Sequence, residues 1–367
     1  MFGAGLLVAL FLVTASACGG VQKAEGWASP VVDGSTVYYF PKRDRLASLT
    51  VDGTNATQNW IFPDKSRGET KGLKFKAAYD VTLNGDTLYF GAWDGPVFAL
   101  AAKDGSLRWK LDKVSGGLVG GPVVAGDLVV FATTDGRLYA RSKADGRTAP
   151  GWPDKGIKLH GEVYATPIVA GEMVVLGTLK GELQAFKLTD GSPAWEAPFE
   201  ATGAIPEVTS LDGDRLFVAT LAKRVHIIDA KTGKPLNGEG FITKDWVWSK
   251  PYFKDGIAYF GDFSGRIYAL DITLNTTRWI AEADSRIKSG PAAVGETLVL
   301  ATRDTEVLFL SLADGKLLNT VPVDKGTVRA PLVTSGDRVL IASTKGALYL
   351  ADPAGRAVDL INVAGQQ

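Results

Sequence analysis

Apolar and polar positions alternate in short runs throughout the chain, and the clearest run lies between Trp248 and Ala281. There Ile257-Ala258-Tyr259-Phe260 is followed by Gly261-Asp262-Phe263-Ser264-Gly265, then by Ile267-Tyr268-Ala269-Leu270 and, after a loop, by Arg278-Trp279-Ile280. Short apolar runs bounded by Gly, Asp and Ser predict strand, tight turn, strand, loop and strand. Pro251 opens a further short strand ahead of them. The same unit overlays the chain eight times, with first strands beginning near Pro30, Val81, Pro122, Pro167, Thr209, Pro251, Pro291 and Pro331. That spacing, roughly 40 to 50 residues, is the period of four-stranded propeller blades. A small residue usually closes the second strand, as at Gly91, Ala132, Gly177, Ala219, Gly261, Ala301 and Ala342. No long stretch carries a 3.6-residue period, so the pattern predicts an all-β chain.

The turns support the same parsing. Ten Asp-Gly pairs occur, among them Asp33-Gly34, Asp94-Gly95, Asp135-Gly136, Asp190-Gly191 and Asp314-Gly315. Nearly all fall between proposed strands, where they predict type I′ turns with positive φ at both central residues. The loops from third to fourth strand carry Gly at the tip (Gly53, Gly105, Gly146, Gly191, Gly233, Gly315, Gly355), with Asn275 in its place in blade six. Trp60, Trp109, Trp152, Trp195 and Trp279 mark five of the fourth strands. The prediction is one eight-bladed β-propeller of four-stranded antiparallel blades over residues 27–363. Its radial closure protects nearly all sheet edges.

Composition narrows the function. Lys+Arg and Asp+Glu both total 40, so the formal net charge is zero. Bulk electrostatic binding of nucleic acid or of an anionic membrane is not expected from such a chain. Near the N-terminus, Leu6 to Val13 is apolar and too short for a membrane span, and small residues follow it up to Cys18, the only cysteine. This predicts a signal peptide over residues 1–17. An exported chain with one cysteine has no disulfide framework.

The segment ending in Cys18 resembles the lipobox of bacterial lipoproteins, which implies lipidation of Cys18 and a short linker over residues 18–26. Asp104-Gly105-Ser106-Leu107-Arg108-Trp109 and Asp190-Gly191-Ser192-Pro193-Ala194-Trp195 are the best copies of a repeat that resembles the pyrroloquinoline-quinone-type propeller repeat. With the lipobox and the eight-blade count, the chain looks most like the lipoprotein family of the outer-membrane β-barrel assembly machinery. The resemblance implies a monomeric, non-catalytic scaffold on the extracytoplasmic side of a membrane, binding envelope proteins and held to the membrane by lipid. Two alternatives stay open: a quinone-dependent dehydrogenase, and a small-molecule or glycan sensor that uses the central channel. Quinone enzymes of this repeat class use adjacent cysteines and a calcium site. This chain has no such pair, so neither pyrroloquinoline quinone nor calcium is expected as a cofactor.

The remaining chemistry is on the surface. His160 and His226 are the only histidines, and their placement suggests neither a zinc site nor a triad. Links from a fourth strand to the next first strand share a propeller face with the turns between second and third strands. The longest link follows Trp60 and carries Lys65, Arg67, Lys71, Lys74 and Lys76 against Asp64 and Glu69. It is a candidate contact for an acidic partner surface or for lipid headgroups. Trp93 and Phe263 lie in turns and Trp246 in a link, where aromatic residues have little packing role and are hot-spot candidates. Lys223 and Arg224 replace the turn glycine of blade five and extend a basic rim, as Arg43 and Arg45 do in blade one.

Overall fold

The computed structural model describes residues 28–364 except 67, 69–71 and 113. Seven four-stranded sheets and one five-stranded sheet follow one another along the chain, with no helix among the described residues. They are the eight expected blades, spanning residues 31–62, 82–111, 123–158, 168–200, 207–242, 252–282, 292–322 and 333–360. Within each blade consecutive strands pair antiparallel, and at five of the eight junctions the first strands of neighbouring blades are in contact around the axis.

The outer ring is closed by a device absent from the sequence prediction. After blade eight, Asn362–Ala364 crosses to blade one and pairs in parallel with Asn55, Ala56 and Thr57 as a fifth, outermost strand. Asn362 N–H donates to Thr54 O at 2.8 Å, and the side chain of Ile361 is buried just before the crossing. The two ends of the chain's repeat are thereby tied.

Alternation along each strand feeds two different interfaces. In blade one, Tyr38 packs with Leu88, Phe90 and Phe98 of blade two, whereas Val37 and Tyr39 pack with Leu340 and Leu348 of blade eight. This is the period-2 geometry of a strand buried on both faces. The small residue closing the second strand has a steric cause: a Cβ on Gly261 would lie 2.5 Å from the side chain of Ile287, which crosses over it from the next link.

Three details differ from expectation. Only Asp255-Gly256 has positive φ at both central residues (51° and 78°). The other inner hairpins place a glycine alone in the left-handed region, such as Gly34 at 58°. In several third-to-fourth-strand loops the aspartate instead accepts the N–H two residues on, as Asp104 does from Ser106 at 2.9 Å and Asp190 from Ser192 at 2.8 Å. These are side-chain turns rather than type I′ turns. Second, Arg356, not Gly355, takes the left-handed conformation in blade eight. Third, Trp152 and Trp195 precede their short fourth strands, Ile157–Lys158 and Phe199–Glu200, instead of lying in them.

All five tryptophans nevertheless do one job. Trp60, Trp109, Trp152, Trp195 and Trp279 each donate Nε1–H to a carbonyl of the next blade: Ala102, Lys143, Leu188, Ala230 and Leu312, at 2.8–3.1 Å. Each indole covers the tip glycine three residues beyond that carbonyl. A Cβ on Gly233 would sit 2.5 Å from the ring of Trp195. Positive φ and contact with the indole both demand glycine there.

Candidate functional site: a propeller face and the central channel

Links and second-to-third-strand turns do share a face. In seven blades the second residue of the turn donates its N–H to the preceding link: Trp93 to Ala77, Thr134 to Gly117, Leu179 to Glu162, Leu221 to Ala204, Phe263 to Trp246, Arg303 to Arg286 and Thr344 to Thr327, all at 2.8–2.9 Å. The bond needs only backbone, so the side chains at these paired positions are free to vary. Three pairs carry only small, aliphatic or hydroxyl residues, and two others set Trp93 opposite Ala77 and Leu179 opposite Glu162. Blade six carries two aromatics, and blade seven carries two arginines.

Blade six holds its aromatics rigidly. Where other blades place a buried Thr or Ser at the turn, as at Thr302 and Ser343, blade six has Asp262, fully buried. The hydroxyls of Thr302 and Ser343 accept one backbone N–H each, from Glu306 and Ala347. The Asp262 carboxylate accepts five donors: the N–H groups of Asp245, Ser264 and Arg266 and the hydroxyls of Ser264 and Tyr268, at 2.6–3.1 Å. Burial and the neighbouring Asp262 push the Tyr268 hydroxyl well above the usual tyrosine range, so it stays a donor. This network fixes the turn to the link. Phe263 then stacks on Trp248 at 6.1 Å and lies 6.0 Å from Trp246, whose side chain is 41% exposed. Lys288 Nζ caps Trp248 at 4.8 Å, a cation–π contact.

The other sequence candidates are scattered. Trp93 is half-buried and meets Tyr79 edge-on at 5.9 Å. Lys223 takes the left-handed turn position at φ 60° and pairs with Asp245 at 3.4 Å, close to Trp246. Arg224 instead begins a strand and donates to Glu239 O, so it belongs to the blade rather than to the rim. In the long link, Lys65, Lys74 and Lys76 are exposed. Phe75 between the last two is buried against Phe40, Phe90 and Phe98, and anchors that part of the link to blades one and two. His226 is buried with neither nitrogen hydrogen-bonded, and burial pulls it down to about 4. Cys18, Arg67 and Lys71 lie outside the described residues.

The sequence reading named none of the residues that line the central channel. One register position at the start of the inner strands, occupied by Ser29, Asp80, Gly121, Thr166, Glu207, Lys250, Gly290 and Pro331 in the eight blades, faces the axis, and six of these residues line the central cavity. Three of them are charged. Asp80 accepts Val81 N–H at 2.9 Å and the Thr166 hydroxyl at 3.2 Å. Burial pushes the Glu207 carboxyl up to about 7, against the pull of Lys250 and with a further push from Asp80. Burial also works against the Lys250 charge, but Glu207 and Asp80 hold it above the usual lysine range. The cavity they line measures about 90 Å³, whereas organic ligands occupy pockets of roughly 300–1,000 Å³. An overlay of the repeats at this position was the available signal. Beginning blade five at Thr209 hid it, because the strand starts at Glu207 and its proline, Pro206, stands ahead of that position rather than after it as in most blades.

Comparison with known proteins fits this fold. A relative from Burkholderia pseudomallei, an outer membrane protein assembly factor BamB, is 26% identical over 335 residues, covering 88% of this chain and 83% of its own. The crystal structure of BamB from Moraxella catarrhalis superposes with a TM-score of 0.70 at 16% identity, covering 88% of this chain and 92% of that one. A quinohemoprotein alcohol dehydrogenase from Pseudomonas putida superposes at 0.64 with 14% identity, covering 89% of this chain and 69% of the enzyme. The fold alone therefore does not separate scaffold from enzyme. The family model described as outer membrane protein assembly factor BamB matches residues 50–205, 114–234 and 180–359. With these matches running through nearly all of the propeller, the chain belongs to the BamB family of outer membrane assembly factors.

Proposed function

We propose that this protein is a non-catalytic scaffold of the cell envelope that acts in the assembly of outer-membrane proteins and binds the β-barrel assembly machinery. The observation that carries the reading is the family match over residues 50–359. The face of blades six and seven adds a surface suited to protein docking. Its aromatic and arginine side chains occupy positions where the repeat itself needs only backbone. The 90 Å³ central cavity weighs against a quinone cofactor or a glycan in the channel. Anchoring by lipid on Cys18, after removal of residues 1–17, completes the proposal. It would hold the propeller near a membrane, because nine residues of linker reach at most about 30 Å.

Deleting the gene tests the role. Folded β-barrel proteins, scored by their heat-modifiable gel mobility, should fall in the outer membrane and recover when the full chain is restored. Unchanged barrel levels would contradict it. Radiolabelled palmitate should enter the wild-type chain and not Cys18→Ser.

A further inference from the structure

Beside the aromatic shelf lies a depression of about 170 Å³ lined by Phe263, Val328, Arg286, Lys288, Arg303 and Arg329. Its lining is two apolar residues and four cations, with no carboxylate. Arg286 and Arg303 occupy the paired link and turn positions of blade seven, joined only through backbone at 2.8 Å. Among the described residues, none of the other six pairs carries two cations. Both side chains are exposed, and among the described residues neither makes an ion pair or a side-chain hydrogen bond. Nothing in the scaffold requires arginine at either place. The apolar part is equally well defined, since Phe263 is held by the Asp262 network described above, with Val328 buried beneath the depression as part of the core.

We propose that this depression docks an acidic segment of a protein partner. One apolar side chain of the segment sits on Phe263, and flanking carboxylates are held by Arg286 and Arg303. Arginine and aromatic residues together are the composition of binding hot spots, and the guanidinium fork suits carboxylates. A basic surface alone would serve for phosphate-bearing lipid. The apolar floor between the cations and the exposed Trp246 beside it favour a peptide that brings negative charge and an anchor together. The inference rests on the scaffold reading above and names the partner chemistry of its docking face.

The test uses the full chain and two fluorescent heptapeptides, Glu-Asp-Phe-Glu-Leu-Asp-Glu and its counterpart with lysine at every acidic position. The acidic peptide should bind saturably, with affinity falling as salt is raised, and the lysine peptide should not. The double variant R286E/R303E should bind the acidic peptide about tenfold or more weakly, while Lys180→Glu, on the blade-four turn, should bind as wild type. Equal binding of the two peptides, or wild-type affinity in R286E/R303E, would overturn the proposal. So would binding of vesicles containing anionic phospholipid without binding of the acidic peptide. The deletion experiment keeps the two readings apart. A chain that supports barrel assembly but ignores the acidic peptide retires only this inference, whereas a chain that supports neither removes the scaffold reading as well.

Discussion

Replacing Asp262 by Asn probes whether blade six is a purpose-built support for its aromatic shelf. The carboxylate is acceptor-only and takes five donors, three on one oxygen's side (Ser264 N–H and hydroxyl, Arg266 N–H) and two on the other (Asp245 N–H, Tyr268 hydroxyl). An amide of the same shape offers one acceptor and two N–H donors. If the oxygen keeps the Ser264 and Arg266 side, the amide nitrogen faces Asp245 N–H, a donor against a donor. Tyr268 already accepts Lys244 N–H at 2.8 Å and can accept once more, but its own proton then has no partner. The flipped amide leaves two backbone N–H groups of the turn unpaired instead. Each unpaired buried group costs about 1–3 kcal/mol, so the favoured orientation, with two such groups, should destabilise the protein by roughly 2–6 kcal/mol. With an unfolding entropy of about 2.1 cal/mol/K per residue over roughly 340 residues, this is a fall in Tm of about 3–8 °C. Calorimetry on Asp262→Asn measures the shift, and the acidic-peptide affinity should fall alongside it as Phe263 loses its support. A Tm within about 1 °C of wild type with unchanged peptide binding would refute the reasoning.

Other substitutions test the frame. Trp195→Phe removes the donor to Ala230 O and should cost about 1–2 kcal/mol in chemical denaturation; a neutral result would mean that the indole bond is not a blade-to-blade tie. Ending the chain after Leu360 removes the buried Ile361 and the closing strand Asn362–Ala364. It should lower stability by about 2–5 kcal/mol and speed proteolysis of blades one and eight. His226 titrates near 4 in the fold against about 6.5 when unfolded, so its contribution is full above pH 6.5 and is lost as pH falls toward 4. That slope, about 1.4 kcal/mol per pH unit, should vanish in His226→Leu. Glu207 acts in the opposite sense: its raised value means that the folded state holds the proton more tightly. Its contribution is full at low pH and is lost as pH rises from about 4.5 through about 7. Glu207→Gln should therefore remove the fall in Tm that this group causes between about pH 4.5 and pH 7.

Much of this was readable in the sequence, because a repeated unit states its own rules. Apolar runs, turn glycines and the small residue after each second strand located the blades, and Phe263 and Trp246 stood out as departures on the face that links and turns share. Trp152 and Trp195 were read as strand residues because their interblade bond looks the same in sequence whether or not a strand surrounds it. Closure by Asn362–Ala364 was not legible: it depends on a parallel pairing some 300 residues away in sequence, and a three-residue strand carries no period of its own. Arg286 and Arg329 carry no signal of their own in the sequence, and only the fold brings two links and two turns around one depression. The channel charges Asp80, Glu207 and Lys250 are far apart in the chain and meet only because the ring closes.

The most direct test is affinity purification of the full chain from native envelopes, wild type beside R286E/R303E. A protein of the β-barrel assembly machinery should be recovered with the wild type and be strongly depleted with the variant. Recovery of no assembly protein with the wild type would contradict the scaffold reading, and equal recovery with both would contradict the docking face assigned to blades six to eight.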